Sequence, residues 1–184
     1  MEYEVFNESG IDFELSKDYL FRIEKSKTFL SINEKSKENE GVKTAEFLLL
    51  DDKNDSLAIW IIEAKTGTPQ PAKEEDYNNF INEIKDKFYD SLSLFLALFF
   101  KRHQEEMPVN FHQVNLAEIK FKLVLIITSP TYKEEWLEPI KCSLHSTLTP
   151  LINKMAKIWS FPQSSILVIN PSLANEFGLI NNRA

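Results

Sequence analysis

The sequence predicts an α/β protein: a mixed β-sheet with an antiparallel hairpin and flanking helices. Three observations carry that expectation. Two near-continuous apolar runs, Glu46–Leu50 and Leu57–Ile62, flank the polar cluster Asp51–Ser56. They read as two strands joined by a turn and covered on both faces. From Tyr77 onward, Phe80, Ile81, Ile84, Phe88, Leu92, Phe95 and Phe99 recur at steps of three and four, the period of a long helix. Phe121–Ile127 and Ile166–Ile169 are short apolar runs closed by Thr128-Ser129-Pro130 and Asn170-Pro171, as buried strands are.

In chain order, the first element is ambiguous. Tyr19, Phe21 and Ile23 alternate with Leu20, Arg22 and Glu24, which suits a strand, yet a helix beginning near Ser16 fits as well. Asn33–Thr44 is polar, contains Gly41, and reads as a surface loop. After the hairpin, Glu74-Glu75-Asp76 favours the positive end of the long helix, and Lys101-Arg102-His103 favours its negative end. A second helical region spans about Glu134 to Trp159, broken near Pro150, and a short helix from Leu173 to Phe177 precedes Gly178. An antiparallel pair feeding helix-crossed strands implies helices on the faces of a mixed sheet. No linker interrupts the 184 residues, so one domain over 1–184 is expected.

Composition excludes several chemistries. Four glycines, at Gly10, Gly41, Gly67 and Gly178, make neither a GxGxxG turn nor a GxxxxGK loop, and there is no GxSxG elbow. Cys142 is the only cysteine, which excludes a zinc cluster and an internal disulfide. It reads as a buried, inert thiol in a reducing compartment. His103, His112 and His145 lack metal-ligand spacing. Any metal would therefore be held by carboxylates, the ligands of hard ions such as Mg²⁺ or Mn²⁺. The N-terminus lacks the pattern of a signal peptide, and the most apolar stretch, Leu92–Phe100, is far shorter than the roughly 20 residues that span a bilayer. A cytoplasmic protein without a membrane segment is expected. The net charge of −7 gives no electrostatic preference for a polyanion.

The chemistry concentrates at the end of the hairpin, Ile61-Ile62-Glu63-Ala64-Lys65. Side chains alternate along a strand, so Leu57, Ile59, Ile61, Glu63 and Lys65 share a face. Two opposite charges thus follow three apolar residues on a face expected to be buried, where charge must be paired or bind an ion. With Asn54-Asp55 as a two-residue turn, Glu46 falls opposite Glu63 on that face, with β-carbons roughly 5 Å apart. Two carboxylates so placed repel by roughly 3 kcal/mol at an effective dielectric near 20, and a proton, Lys65 or a divalent cation must compensate. Asp51 and Asp52 lie near the turn, about 17 to 20 Å along the strand from the Glu63 end.

An acidic residue opening one strand, a hairpin, and an (Asp/Glu)-x-Lys triplet closing the next resembles the PD-(D/E)xK nuclease superfamily. The likeness covers residues 12 to 130 by order of elements. Glu63-Ala64-Lys65 matches the triplet, Glu46 stands in for the family's Asp, and Ala45 replaces its usual Pro. The resemblance implies a restriction-endonuclease-like α-β-β-β-α-β core and a nuclease acting on DNA rather than RNA. It also implies Mg²⁺ or Mn²⁺ held by Glu46, Glu63 and the Ala64 carbonyl, with Lys65 orienting the attacking water. Glu24 would be the helical carboxylate that completes such a site, and either Lys73 at the start of the long helix or Lys101 and Arg102 at its end would meet the nucleic-acid backbone. The acidic balance and aromatic content of the chain support a different expectation, a non-catalytic interaction module of the same fold as a subunit of a larger protein complex; a homodimer would instead help one small acidic domain to enclose a duplex.

Overall fold

The protein is described by a computed structural model over residues 2–37, 40–52, 57–69, 72–105, 107–128, 142 and 163–180. A five-stranded mixed sheet forms its centre, in the order β3 (Leu20–Phe21), β4 (Phe47–Asp51), β5 (Ala58–Lys65), β6 (Lys120–Ile127) and β7 (Ile166–Ile169). The pairs β3–β4 and β4–β5 are antiparallel, whereas β5–β6 and β6–β7 are parallel. β4 and β5 pair in the register that a two-residue turn at Asn54-Asp55 requires: Phe47 pairs with Ile62 and Asp51 with Ala58. The turn residues themselves lie outside the described residues.

Both faces of the sheet are covered, as the near-continuous apolarity of β4 and β5 predicts. On one face, Leu48, Leu50, Ile59 and Ile61 pack with Ile84, Phe88 and Phe95 of α2 (Glu74–Phe99). Acidic residues occupy the first turn of α2. Its course ends where Phe100 caps it and Lys101 takes φ 55. On the other face, Phe47, Leu49, Trp60 and Ile62 pack against a second hairpin, β1 (Tyr3–Glu8) and β2 (Ile11–Ser16), and against α3 (Pro171–Glu176).

That second hairpin is an element the sequence reading passed over. Its signal was present: Ile11, Phe13 and Leu15 alternate with polar residues and are buried, after the two-residue turn Ser9-Gly10. Both turn residues have positive φ, 51 and 79, the geometry whose twist suits a tight hairpin. Phe6, Phe13 and Phe47 then form an aromatic cluster, with centroids 5.0 to 5.3 Å apart, that fastens the hairpin to β4.

The ambiguous first segment is neither all strand nor all helix. It comprises the short β3, a 3₁₀ turn at Ile23–Lys25, and α1 (Lys27–Lys35). Ser26 caps α1 by accepting from the Phe29 amide, and Glu105 adds a carboxylate that accepts from the Lys27 and Thr28 amides at 2.7 and 2.8 Å. The expected loop at Asn33–Thr44 therefore begins later, because α1 continues to Lys35. The third antiparallel strand, β3, precedes α1 in the chain, so the order is β-α-β-β-α-β and differs from the α-β-β-β-α-β order expected. The helix expected at Glu134–Trp159 lies outside the described residues, as do Trp136, Trp159 and His145. Cys142, expected to be buried, is exposed. Among the described residues, no helix is long and apolar enough to cross a membrane.

Candidate metal centre

Glu63 occupies the last inward position of β5 and is fully buried. Its Oε1 accepts from Lys87 Nζ at 2.7 Å and lies 3.3 Å from Lys65 Nζ, while Oε2 is buried with no hydrogen-bond partner. Burial raises the Glu63 carboxyl above its ordinary range, and the two lysines oppose that shift. Glu46 stands at the entrance to β4. The ladder ends one step short of it, at Phe47–Ile62, and the Glu46 amide donates to the Ile62 carbonyl at 3.1 Å. Glu46 and Glu63 nevertheless converge on one ammonium group, since Lys87 Nζ is also 3.9 Å from Glu46 Oε1.

Glu46 is the most perturbed group in the site. Burial, a hydrogen bond with Glu24 and the charges of Glu63 and Glu24 push its pKa up to about 8, against the pull of Lys87. At neutral pH this carboxyl holds a proton unless a further cation takes its place. Lys65 pairs with Glu83 at 2.8 Å as well as with Glu63. Burial lowers the Lys65 pKa, but the Glu83 hydrogen bond and the charges of both carboxylates outweigh it, so the ammonium form is held more firmly than usual. The same hydrogen bond lowers the pKa of Glu83.

Glu24 joins the site from the 3₁₀ turn, and Glu8 joins it from the end of β1. Glu8, Glu24 and Glu46, all half-buried, each offer a carboxylate oxygen within 4.8 Å of the others. Arg22, buried and next to the turn, holds two of them: its guanidinium donates to Glu8 and to Glu24 at 2.8 Å, and also to Glu4 at 3.4 Å. It also stacks 3.8 Å from the centre of the Phe6 ring. The Ala64 carbonyl accepts from the Ser9 hydroxyl at 2.8 Å, and the Ser9 carbonyl accepts from Thr128 Oγ1 at 2.7 Å. The tip of the β1–β2 hairpin is thus latched to the ends of β5 and β6.

The residues singled out from sequence, Glu24, Glu46, Glu63, Ala64 and Lys65, therefore lie at one end of the sheet. Sequence reasoning missed Glu8, Arg22, Glu83 and Lys87. Lys101 and Arg102, expected to meet a nucleic-acid backbone, lie just past the end of α2, about four helical turns or roughly 21 Å from Lys87. Lys73 begins the same helix at its other end. No family model, curated protein or solved structure matches the chain.

The donor set suits a hard divalent cation. It consists of carboxylate oxygens, one fully buried oxygen without a partner, and a carboxyl whose pKa is raised by burial and by its acidic neighbours. Glu8, Glu24, Glu46, Glu63 and Glu83 are five carboxyl groups beside the three cations Arg22, Lys65 and Lys87, an excess that a proton on Glu46 relieves only in part.

Proposed function

We propose that the protein is a divalent-metal-dependent nuclease that hydrolyses phosphodiester bonds, with DNA as substrate, and a divergent relative of the PD-(D/E)xK superfamily. One observation carries the reading: Glu8, Glu24 and Glu46 bring three carboxylate oxygens together beside the buried pair Glu63 and Lys65. Mg²⁺ or Mn²⁺ would be held by Glu46 and Glu24, with Glu8, the unpaired oxygen of Glu63 or the Ala64 carbonyl completing the set. Such an ion supplies positive charge that polarises a phosphate oxygen and eases deprotonation of water.

The remaining work falls to the chain itself. Lys65, kept charged by Glu63 and Glu83, orients the water and stabilises the negative charge that grows on the phosphoryl oxygens. The water oxygen forms a bond to phosphorus as the bridging P–O bond breaks in line, leaving a phosphomonoester and a free hydroxyl. Lys87 fixes Glu63, so that the carboxylate does not turn toward Lys65 alone.

Ala45, where the family has Pro, fits this reading. Its amide donates to the buried Ser91 hydroxyl at 2.7 Å, a contact that proline cannot make. Ser91 thus supports the entrance to β4 by a hydrogen bond where proline would do so by ring stiffness.

The test is incubation of the purified chain with plasmid and single-stranded DNA, in Mg²⁺, Mn²⁺ or EDTA. Metal-dependent cleavage that disappears in Lys65→Ala and Glu63→Gln is expected. Cleavage unaffected by both changes would overturn the assignment. A second reading, a non-catalytic interaction module, draws on the internal cations: Arg22 and Lys87 already engage Glu8, Glu24 and Glu63. Calorimetry with Mn²⁺ separates the two, since a module satisfied by its own cations gives no binding heat.

A further inference from the structure

A cavity of about 410 Å³ opens on the face of the sheet away from α2, between the β1–β2 hairpin, the turn end of β4 and the residues following α3. Its volume is in the range of small-ligand sites. Four aromatic side chains line it: Tyr3, Tyr19, Trp60 and Phe177. Three carboxylate residues, Glu14, Asp51 and Asp52, share the wall, and no lysine or arginine is among the described residues lining it.

The aromatic walls are arranged to receive something. Trp60 and Phe177 meet edge to face at 5.7 Å. Tyr3 and Phe177 remain 54% and 44% exposed, so the mouth keeps apolar ring surface in water. The Trp60 ring already attracts one ammonium group, with Lys122 Nζ 4.8 Å from its centroid. The Tyr19 hydroxyl donates to Asp52 and holds that carboxylate at the wall.

We propose that this cavity binds an organic cation, a primary or methylated ammonium group. Aromatic faces attract such a cation through their quadrupoles, and the carboxylates add a field that repels anions. Two sources share this chemistry: a free small ammonium compound, or a lysine side chain of a partner peptide.

The experiment follows the Trp60 indole resonance of the ¹⁵N-labelled full chain during titration with three probes. These are choline, Nα-acetyl-lysine amide, and 3,3-dimethylbutan-1-ol, the uncharged carbon analogue of choline. Saturable shifts with a Kd of about 0.1–10 mM are expected for at least one cation, with the uncharged analogue at least about tenfold weaker. Preference for choline identifies a free small cation, and preference for the lysine amide identifies a protein side chain. Asp52→Asn and Phe177→Ala, at positions that are not fully buried, should each weaken binding about tenfold while leaving the remaining spectrum in place. Equal binding of the uncharged analogue, or no shift at about 10 mM of either cation, would overturn the proposal.

Discussion

Ile61 and Glu63 stand two residues apart on the same face of β5, and both are fully buried. Ile61 sits in the core beneath α2, where removal from water stabilises the fold. Glu63 has the same burial with a carboxylate, and burial alone would be strongly unfavourable to its charge. Lys87 and Lys65 offset that cost only in part, for one carboxylate oxygen remains unpaired. Equal burial with opposite chemistry separates what the strand does for stability from what its last turn is proposed to do for catalysis.

The comparison breaks most visibly in activity. Lys65→Ala should lower metal-dependent phosphodiester cleavage by about 10²–10³-fold, the effect of losing one preorganised charge at a developing oxyanion. A plasmid-nicking time course measures it, and circular dichroism should show the fold retained. Ile61→Ala should do the reverse, leaving turnover per folded molecule intact and removing about 2–5 kcal/mol of stability by opening a cavity. Lys87→Met should cost about 3 kcal/mol, because it strips Glu63 of its closest cation. Joint replacement, Glu63→Met with Lys87→Met, should return stability to the wild-type level or above it, as apolar replacement of a buried ion pair often does. Urea denaturation of the four proteins tests the set, and a double variant weaker than Lys87→Met alone would contradict it.

Burial on both faces was legible in sequence, and the chemistry at the rim was legible only in part. The register of β4 and β5 follows from Asn54-Asp55 and two apolar runs, and β6, β7 and α2 follow from local period and from Pro or charge at their ends. Period two also placed Glu63 and Lys65 on one face. Glu8, Arg22 and Lys87 were not legible, because they reach the site through packing: Glu8 on a hairpin that crosses the sheet, Arg22 beside a 3₁₀ turn, and Lys87 from the helix above. Lys87 did leave a trace, standing next to the core residue Phe88 and four residues after Glu83 along α2, so both project from one side of the helix. Glu24 was singled out for its chemistry while its local structure stayed open between strand and helix, and a 3₁₀ turn belongs to neither period.

A smaller effect sharpens the contrast through pH. Glu46 titrates at about 8 in the folded protein, against an ordinary 4.5. Between those values the folded state holds a proton that the unfolded chain releases. This group's contribution to stability is therefore fully present below about pH 4.5 and is lost as pH rises toward 8. The group is partly open to solvent, which limits the change to about 1–2 kcal/mol. Glu46→Gln should flatten the dependence, so that thermal melts of variant and wild type diverge at pH 8 and agree near pH 4.5, with the variant the more stable at pH 8. Mn²⁺ should reverse that order at pH 8, since the ion replaces the proton only where a carboxylate is present. Ile61→Ala should leave the pH profile parallel to wild type.

The smallest effect concerns the latch. The Ser9 hydroxyl donates to the Ala64 carbonyl at 2.8 Å, between the two residues that define the end of β5. Ser9→Ala removes one hydrogen bond of a kind worth about 1 kcal/mol, and the contact from Thr128 to the Ser9 carbonyl remains. Ser9 also has φ 51, so Ser9→Gly loses the hydroxyl while relaxing the backbone, and it should be less destabilised than the alanine variant. Both variants loosen the segment that carries Glu8 to the carboxylate cluster. If Glu8 is a ligand, Mn²⁺ affinity should fall severalfold in both variants, although their stabilities differ. If the latch is only structural, affinity should not change in either. The two measurements separate holding the sheet together from holding an ion at its edge, which Ile61 and Glu63 divide between them on a single strand.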